Sequence, residues 1–102
     1  MDDPALQRFK GALDAIYGDR IAKVVLFGSR ARGDAHADSD YDVAVFLKPL
    51  PDSRKEVERL ADLRGDFLDE TGAFFGTKLF PIASYPDRTP LMHEIRRDGL
   101  DL

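Results

Sequence analysis

Cysteine is absent from this chain of 102 residues, which excludes a disulfide framework, a thiolate metal site and a cysteine nucleophile. A basic excess is missing too: 15 Lys and Arg stand against 19 Asp and Glu, a net charge of -4. Such a chain has no broad, non-specific attraction for nucleic acid, and a basic partner suits it better. No apolar run approaches the roughly 20 residues of a membrane span. The N-terminal MDDPALQRFK is acidic and amphipathic, without the basic start and apolar stretch of a signal peptide, so the expectation is a cytoplasmic protein away from membranes. Repeats, low-complexity tracts and long linkers are also missing, and residues 1–102 are read as a single domain. At this size a functional site must share residues with the core or be completed by a partner.

Against these absences, the apolar and turn-forming residues alternate in a regular order. Asp3 as N-cap and Pro4 at the first helical position open a helix that spaces Leu6, Phe9, Leu13 and Ile16 along one face and ends near Gly18. Ile21 to Phe27 (IAKVVLF) is apolar on both alternating faces, as in a strand covered on both sides, and stops at Gly28. Tyr41 to Leu47 (YDVAVFL) is a second strand, halted by Pro49 and Pro51. Ser53 and Glu56 form a capping box for a helix that runs to about Glu70 and turns Val57, Leu60, Ala61, Leu63 and Phe67 inward.

Thr77 to Ser84 (TKLFPIAS) is expected as a third, weaker strand at an edge, because Pro81 cannot donate a ladder bond. A last short helix starts at Thr89 and Pro90, uses Leu91 and Ile95, and ends at Gly99. The alternation implies an α/β (α+β) domain, a small sheet covered by helices. The connector from Gly28 to Asp40 is just long enough for one helical turn and a loop, which favours a mixed sheet.

The chemistry concentrates in FGSRARGDAHADSDYD, Phe27 to Asp42. Gly28, at a strand end, lets the backbone turn sharply and approach a ligand. Ser29 adds a hydroxyl and an N–H where a helical turn begins, a place that favours an anion such as phosphate. Alone, the pair equally suits an N-cap after a strand. Asp40 and Asp42 lie two apart at the head of a strand, so both carboxylates aim to one side, their Cα atoms roughly 6.5 Å apart. They would repel each other unless a cation sat between them, and magnesium commonly takes one or two carboxylates plus substrate phosphates. The alternative is a turn at Ser39 and Asp40 with a solvated Asp42.

The combination G-S, ten residues, D-x-D arises by chance in a chain this short about once in a thousand. LFGSRARGDAHADSDYDVAV, Leu26 to Val45, closely resembles the signature of the minimal nucleotidyltransferases of the DNA polymerase β superfamily. The element order extends the resemblance over nearly the whole chain. It implies a polymerase-β-type nucleotidyltransferase fold in which Gly28 and Ser29 hold the triphosphate of ATP or another NTP and Asp40 and Asp42 hold Mg2+. Arg32 is a further candidate for a phosphate contact and Arg30 a weaker one. Asp34, His36 and Asp38 are read as dispensable loop, His93 as a surface residue, and Phe74 and Phe75 chiefly as core packing.

The chain departs from the family at one place. A third carboxylate usually comes from the strand after the long helix, yet from Thr71 to Pro86 there is no Asp or Glu. Without general-base help, typically worth about 10²- to 10⁴-fold, the expected enzyme is slower, while nucleotide binding is less affected. Lys78 is the charge nearest that place in sequence. Small members of the family resemble the antitoxin half of HEPN and MNT toxin-antitoxin pairs, which implies AMP transfer from ATP to a tyrosine of a HEPN toxin partner. The alternatives are a weak or inactive nucleotide-binding antitoxin that neutralises its partner by steric cover, and nucleotidyl transfer to a small molecule.

Overall fold

The computed structural model describes residues 3–36, 39–49 and 53–102, with Ser53 described through its backbone alone. Pro51, Asp38 and the Ser53 half of the expected capping box lie outside the described residues. Helix α1 spans Pro4–Tyr17, strand β1 Ile21–Phe27, the single turn α2 Ser29–Arg32, β2 Tyr41–Leu47, α3 Ser53–Thr71, β3 Phe75–Pro81, α4 Pro90–Asp98 and β4 Leu100–Asp101. The sheet order is β3-β2-β1-β4. β1 is antiparallel to β2 and β4, while β3 is parallel to β2, so the sheet is mixed, as its short first connector requires.

Both faces of the central strands are covered. Val24 and Leu26 of β1 join Val43, Val45 and Leu47 of β2 in a core with Leu6, Phe9 and Leu13 of α1 and Leu60 and Phe67 of α3. On the opposite face, Val25, Phe27, Ala44 and Phe46 pack against Met92 and Ile95 of α4. This explains the unbroken apolar run of β1 and β2, since alternate residues enter different cores. Asp3 caps α1 as expected, accepting from the Leu6 N–H at 3.1 Å, and Thr89 caps α4 by accepting from the Met92 N–H at 3.1 Å.

Two expectations are corrected, and one strand is added. The third strand runs Phe75–Pro81 instead of Thr77 to Ser84, with Ile82–Ser84 forming a single 3-10 turn. It begins earlier because Phe75 is fully buried, stacked at 4.2 Å on Phe9. Pro81 does lie on the edge strand, at its last position, where a missing donor costs nothing to the ladder. On α3, Val57 is 52% exposed and Ala61 is exposed, whereas Leu60 and Phe67 face the core. Glu56 is buried, pairing with Arg20 at 3.3 Å and Arg59 at 3.8 Å, and the inward stripe runs through Glu56, Leu60 and Phe67, which turns Val57 outward. Lastly β4, two residues after Gly99, closes the free edge of β1, with the Leu102 N–H donating to the Val24 carbonyl at 2.9 Å.

Candidate active site

Tyr41 sets the direction of the two aspartates that flank it. Its ring enters the α1/α3 side of the sheet, stacks on Phe75 at 4.5 Å, and its hydroxyl donates to the Asp3 carboxylate. The Arg30 guanidinium lies 4.0 Å over the outer face of the ring and also donates to the Ser39 carbonyl from Nε (3.0 Å) and Nη2 (2.8 Å). A residue held so firmly on one face forces its neighbours to the other. Asp40 and Asp42 therefore share the α4 side, and Arg30 is a clamp on the loop before β2.

Asp42 stands between two glycines from neighbouring strands. Gly28, directly after β1, adopts φ 77°, and a Cβ there would collide with Asp42 Oδ2 and lie 3.2 Å from its Cγ. Only glycine tolerates both the backbone conformation and the closeness. Across β2, Gly76 pairs in register with Asp42, and a Cβ on it would sit 3.5 Å from Asp42 Oδ1. The carboxylate thus occupies a slot without side chains on either flank.

The single turn α2 follows Gly28, whose carbonyl accepts from the Ala31 and Arg32 N–H groups, both at 3.1 Å. The Ser29 N–H opens this turn, where the backbone dipoles favour an anion. Arg32 is exposed, with Nε 3.3 Å from Asp34 and Nη1 3.8 Å from Glu94.

The electrostatics point to a cation. Burial first, then the charges of Asp40 and Glu94, raise the Asp42 carboxyl above its ordinary value, while Lys78 and Arg32 pull it down. A half-buried carboxylate beside two others would be stabilised by a divalent cation, whose remaining ligands the protein would not supply. Asp40 and Asp42 suit Mg2+ in that partial role. Among the described residues no group of three His, Cys, Asp or Glu is close enough to hold a metal together.

The position that faces Asp42 on β3 is Gly76, and the next residue on that face is Lys78, opposite Ala44. The acid-free strand of the sequence is therefore acid-free at the site itself. The third carboxylate in the neighbourhood, Glu94, arrives from α4 through packing of Met92 and Ile95. No spacing signal could have announced it. His36 and His93 are exposed, as read from the sequence. Phe75 is core, as expected, whereas Phe74 is not: it is 42% exposed at the mouth of the site.

Comparison with known proteins identifies the family. A family model described as a nucleotidyltransferase domain matches residues 6–77. Two Methanocaldococcus jannaschii proteins, each named "Putative protein adenylyltransferase", are similar to the chain. MJ0141 is 38% identical over 55 residues, 54% of this chain and 54% of the relative. MJ1305 is 37% identical over 70 residues, 69% of this chain and 46% of the relative. The chain spans about half the length of these curated relatives.

Among solved structures, a toxin-antitoxin complex with AMP-PNP shares the fold at a TM-score of 0.63 and 17% identity, covering 93% of this chain and 70% of that one. A Sulfolobus solfataricus protein described as a "putative nucleotidyltransferase" shares it at 0.65 and 15%, covering 95% and 75%. Matched by the family model over residues 6–77, from the first helix into the third strand, the chain belongs to the nucleotidyltransferase domain family.

Proposed function

We propose that the chain transfers AMP from ATP to a hydroxyl, a tyrosine of a partner HEPN toxin, and so acts as its antitoxin. The observation that carries this reading is the slot in which Asp42, beside Asp40, is flanked by Gly28 and Gly76. Gly28 lets the triphosphate approach the backbone, and the amides and hydroxyl at Ser29 bind its terminal phosphates. Arg32 adds a movable cation, since its contacts to Asp34 and Glu94 are long and exposed and can be exchanged for phosphate oxygens. Asp40 and Asp42 hold Mg2+, which when bound neutralises charge on the phosphate oxygens. The names of the relatives support adenylyl transfer to protein, and the toxin-antitoxin neighbour with AMP-PNP supports the nucleotide and the class of partner. The absence of a broad basic surface agrees with a protein partner.

The test incubates the chain with α-phosphate-labelled ATP, Mg2+ and a HEPN protein offered as the candidate partner. Label on the HEPN tyrosine is expected. No label under conditions where ATP is bound would remove the reading. A second reading, neutralisation by steric cover without catalysis, draws on one observation: no acid lies on β3 opposite Asp42. Replacing Asp40 and Asp42 with Asn separates the two, since neutralisation that survives unchanged favours steric cover.

A further inference from the structure

Three of the four large apolar side chains that stand exposed among the described residues, Val57, Leu68 and Phe74, gather along one margin of the molecule. We propose that this margin, the outer flank of α3 together with the free edge of β3, pairs with a second copy of the chain about a two-fold axis. The copies meet with α3 antiparallel to α3 and β3 antiparallel to β3. The pairing is independent of the transfer reading and holds whether or not the site is active.

At 3.6 residues per turn, Val57, Ala61 and Leu68 of α3 fall within about 40° of one another, and all three are exposed. Leu60 and Phe67 face the core. Glu70 pairs with Arg8 of α1, and Asp62 and Asp66 border a cleft with Ile16 of α1. The apolar stripe therefore lies on the flank turned away from α1. Because β3 ends the sheet and Phe67 of α3 packs on Phe75, that flank overhangs the open edge.

The edge itself can continue the sheet. The Tyr41 N–H donates to the Phe74 carbonyl at 2.9 Å, and β3 runs parallel to β2. In such a ladder Gly76 and Lys78 turn their backbone groups to β2, and Thr77 and Leu79 turn theirs outward. A lysine on an edge strand ordinarily deters pairing. About an axis at Thr77, however, Lys78 faces the second copy's Gly76 and meets no like charge. Thr77 faces its own counterpart, and the exposed Phe74 faces the second copy's Phe80.

One axis serves both elements. Setting Val57 against the second copy's Leu68 places the centre of the helix pair between Asp62 and Leu63. Helix α3 runs against β3, since it returns the chain between parallel strands, and the Phe67 and Phe75 rings, 5.7 Å apart, fix their relative height. From Phe67 back to the helix centre is roughly 7 Å, and from Phe75 on to Thr77 is roughly 7 Å. The two centres stand level.

Charge complementarity selects a second copy as the occupant. The exposed charges of α3 begin with Arg54 and Lys55 and end with Asp66, Asp69 and Glu70, the reverse of what the helix dipole favours. In the antiparallel pair each basic end lies beside the other copy's acidic end, with Arg54 near Asp69. Arg64, whose Nε is buried without a hydrogen-bond partner, comes within one turn of the second copy's Glu58.

The experiment follows the intact chain by sedimentation equilibrium up to millimolar concentration, with backbone amide exchange read at low and high concentration. The mass is expected to rise from the 11.4 kDa of one chain to twice that. Leu68→Glu should weaken the pair at least about ten-fold while the far-ultraviolet spectrum is retained. Arg54→Glu should weaken it too, and adding Asp69→Arg to the same chain should restore it, because opposite charges again face across the axis. The Thr77 amide, directed outward in one chain and bonded in the pair, should exchange at least about ten-fold more slowly at high concentration.

A single chain at every concentration overturns the proposal. So does a dimer that Leu68→Glu leaves intact, or one in which the Thr77 amide exchanges as fast as in the single chain. Failure of Asp69→Arg to restore the Arg54→Glu chain overturns the antiparallel arrangement. If the chain alone stays single and Thr77 is protected only when a HEPN protein is added, the margin belongs to that partner and self-pairing is wrong. None of these readouts needs nucleotide, so their failure leaves the transfer reading untouched.

Discussion

Asp42 is the residue whose environment works against its own charge. Its carboxyl is raised by burial and by Asp40 and Glu94, so the ionised form is less favourable in the folded chain than in the unfolded one. The sign follows from linkage: a raised carboxyl costs stability above its folded pKa, and that cost is relieved as pH falls through it. Asp42→Asn should therefore raise the melting temperature of the metal-free protein at neutral pH. The gain should shrink on acidification, as seen by calorimetry in the presence of a chelator; a lower melting temperature would contradict a destabilised carboxylate. Gly28→Ala should act oppositely, because a Cβ meets Asp42 and the backbone stands at φ 77°. A cost of more than about 1 kcal/mol is expected, measurable by denaturant titration. Gly28, Ser29, Asp40 and Asp42 are legible in the sequence because they form one short local pattern between two strand-like runs. Glu94 is not, because only the docking of α4 brings it near.

At the scale of elements, the aromatic column decides how β3 meets the rest. Phe9, Phe75 and Tyr41 stack in sequence, and Phe67 meets Phe9 and Phe75 edge-on at 5.3 Å and 5.7 Å. Phe75→Ala should cost about 3–5 kcal/mol by leaving a cavity between α1 and β3. It should also weaken nucleotide binding, since Tyr41 would lose the support that orients Asp40 and Asp42. Unchanged nucleotide affinity in a folded variant would argue that the aspartates are oriented by something else. The sequence shows these elements unevenly. Strands β1 and β2 are clear because each face meets its own apolar core. The start of β3 is hidden, since AFFG reads as a glycine-bearing turn until Phe75 is seen between Phe9 and Tyr41. Strand β4 has two residues, too few for any period. Val57 fits the helical stripe of α3, yet Glu56, drawn inward by Arg20, takes the buried position.

Across the whole molecule, the functional slot and the core are built from the same strands, as expected where about 100 residues must supply both. Tyr41 ties them together: burial, and then its bond to Asp3, push its hydroxyl up to about 12. A tyrosine whose folded value is raised contributes stability that is fully present below its unfolded value of about 10 and is lost as pH rises toward the folded one. Alkaline unfolding should begin above about pH 10, and Tyr41→Phe should flatten that limb in a thermal-melt series.

The most direct measurement is the affinity for ATP with and without Mg2+, in the natural chain and in Asp42→Asn. If the slot between Gly28 and Gly76 holds a cation against the triphosphate, Mg2+ should tighten binding at least about ten-fold in the natural chain and leave the Asn variant unaffected. Equal tightening in both, or none in either, would contradict a metal-nucleotide site at Asp42.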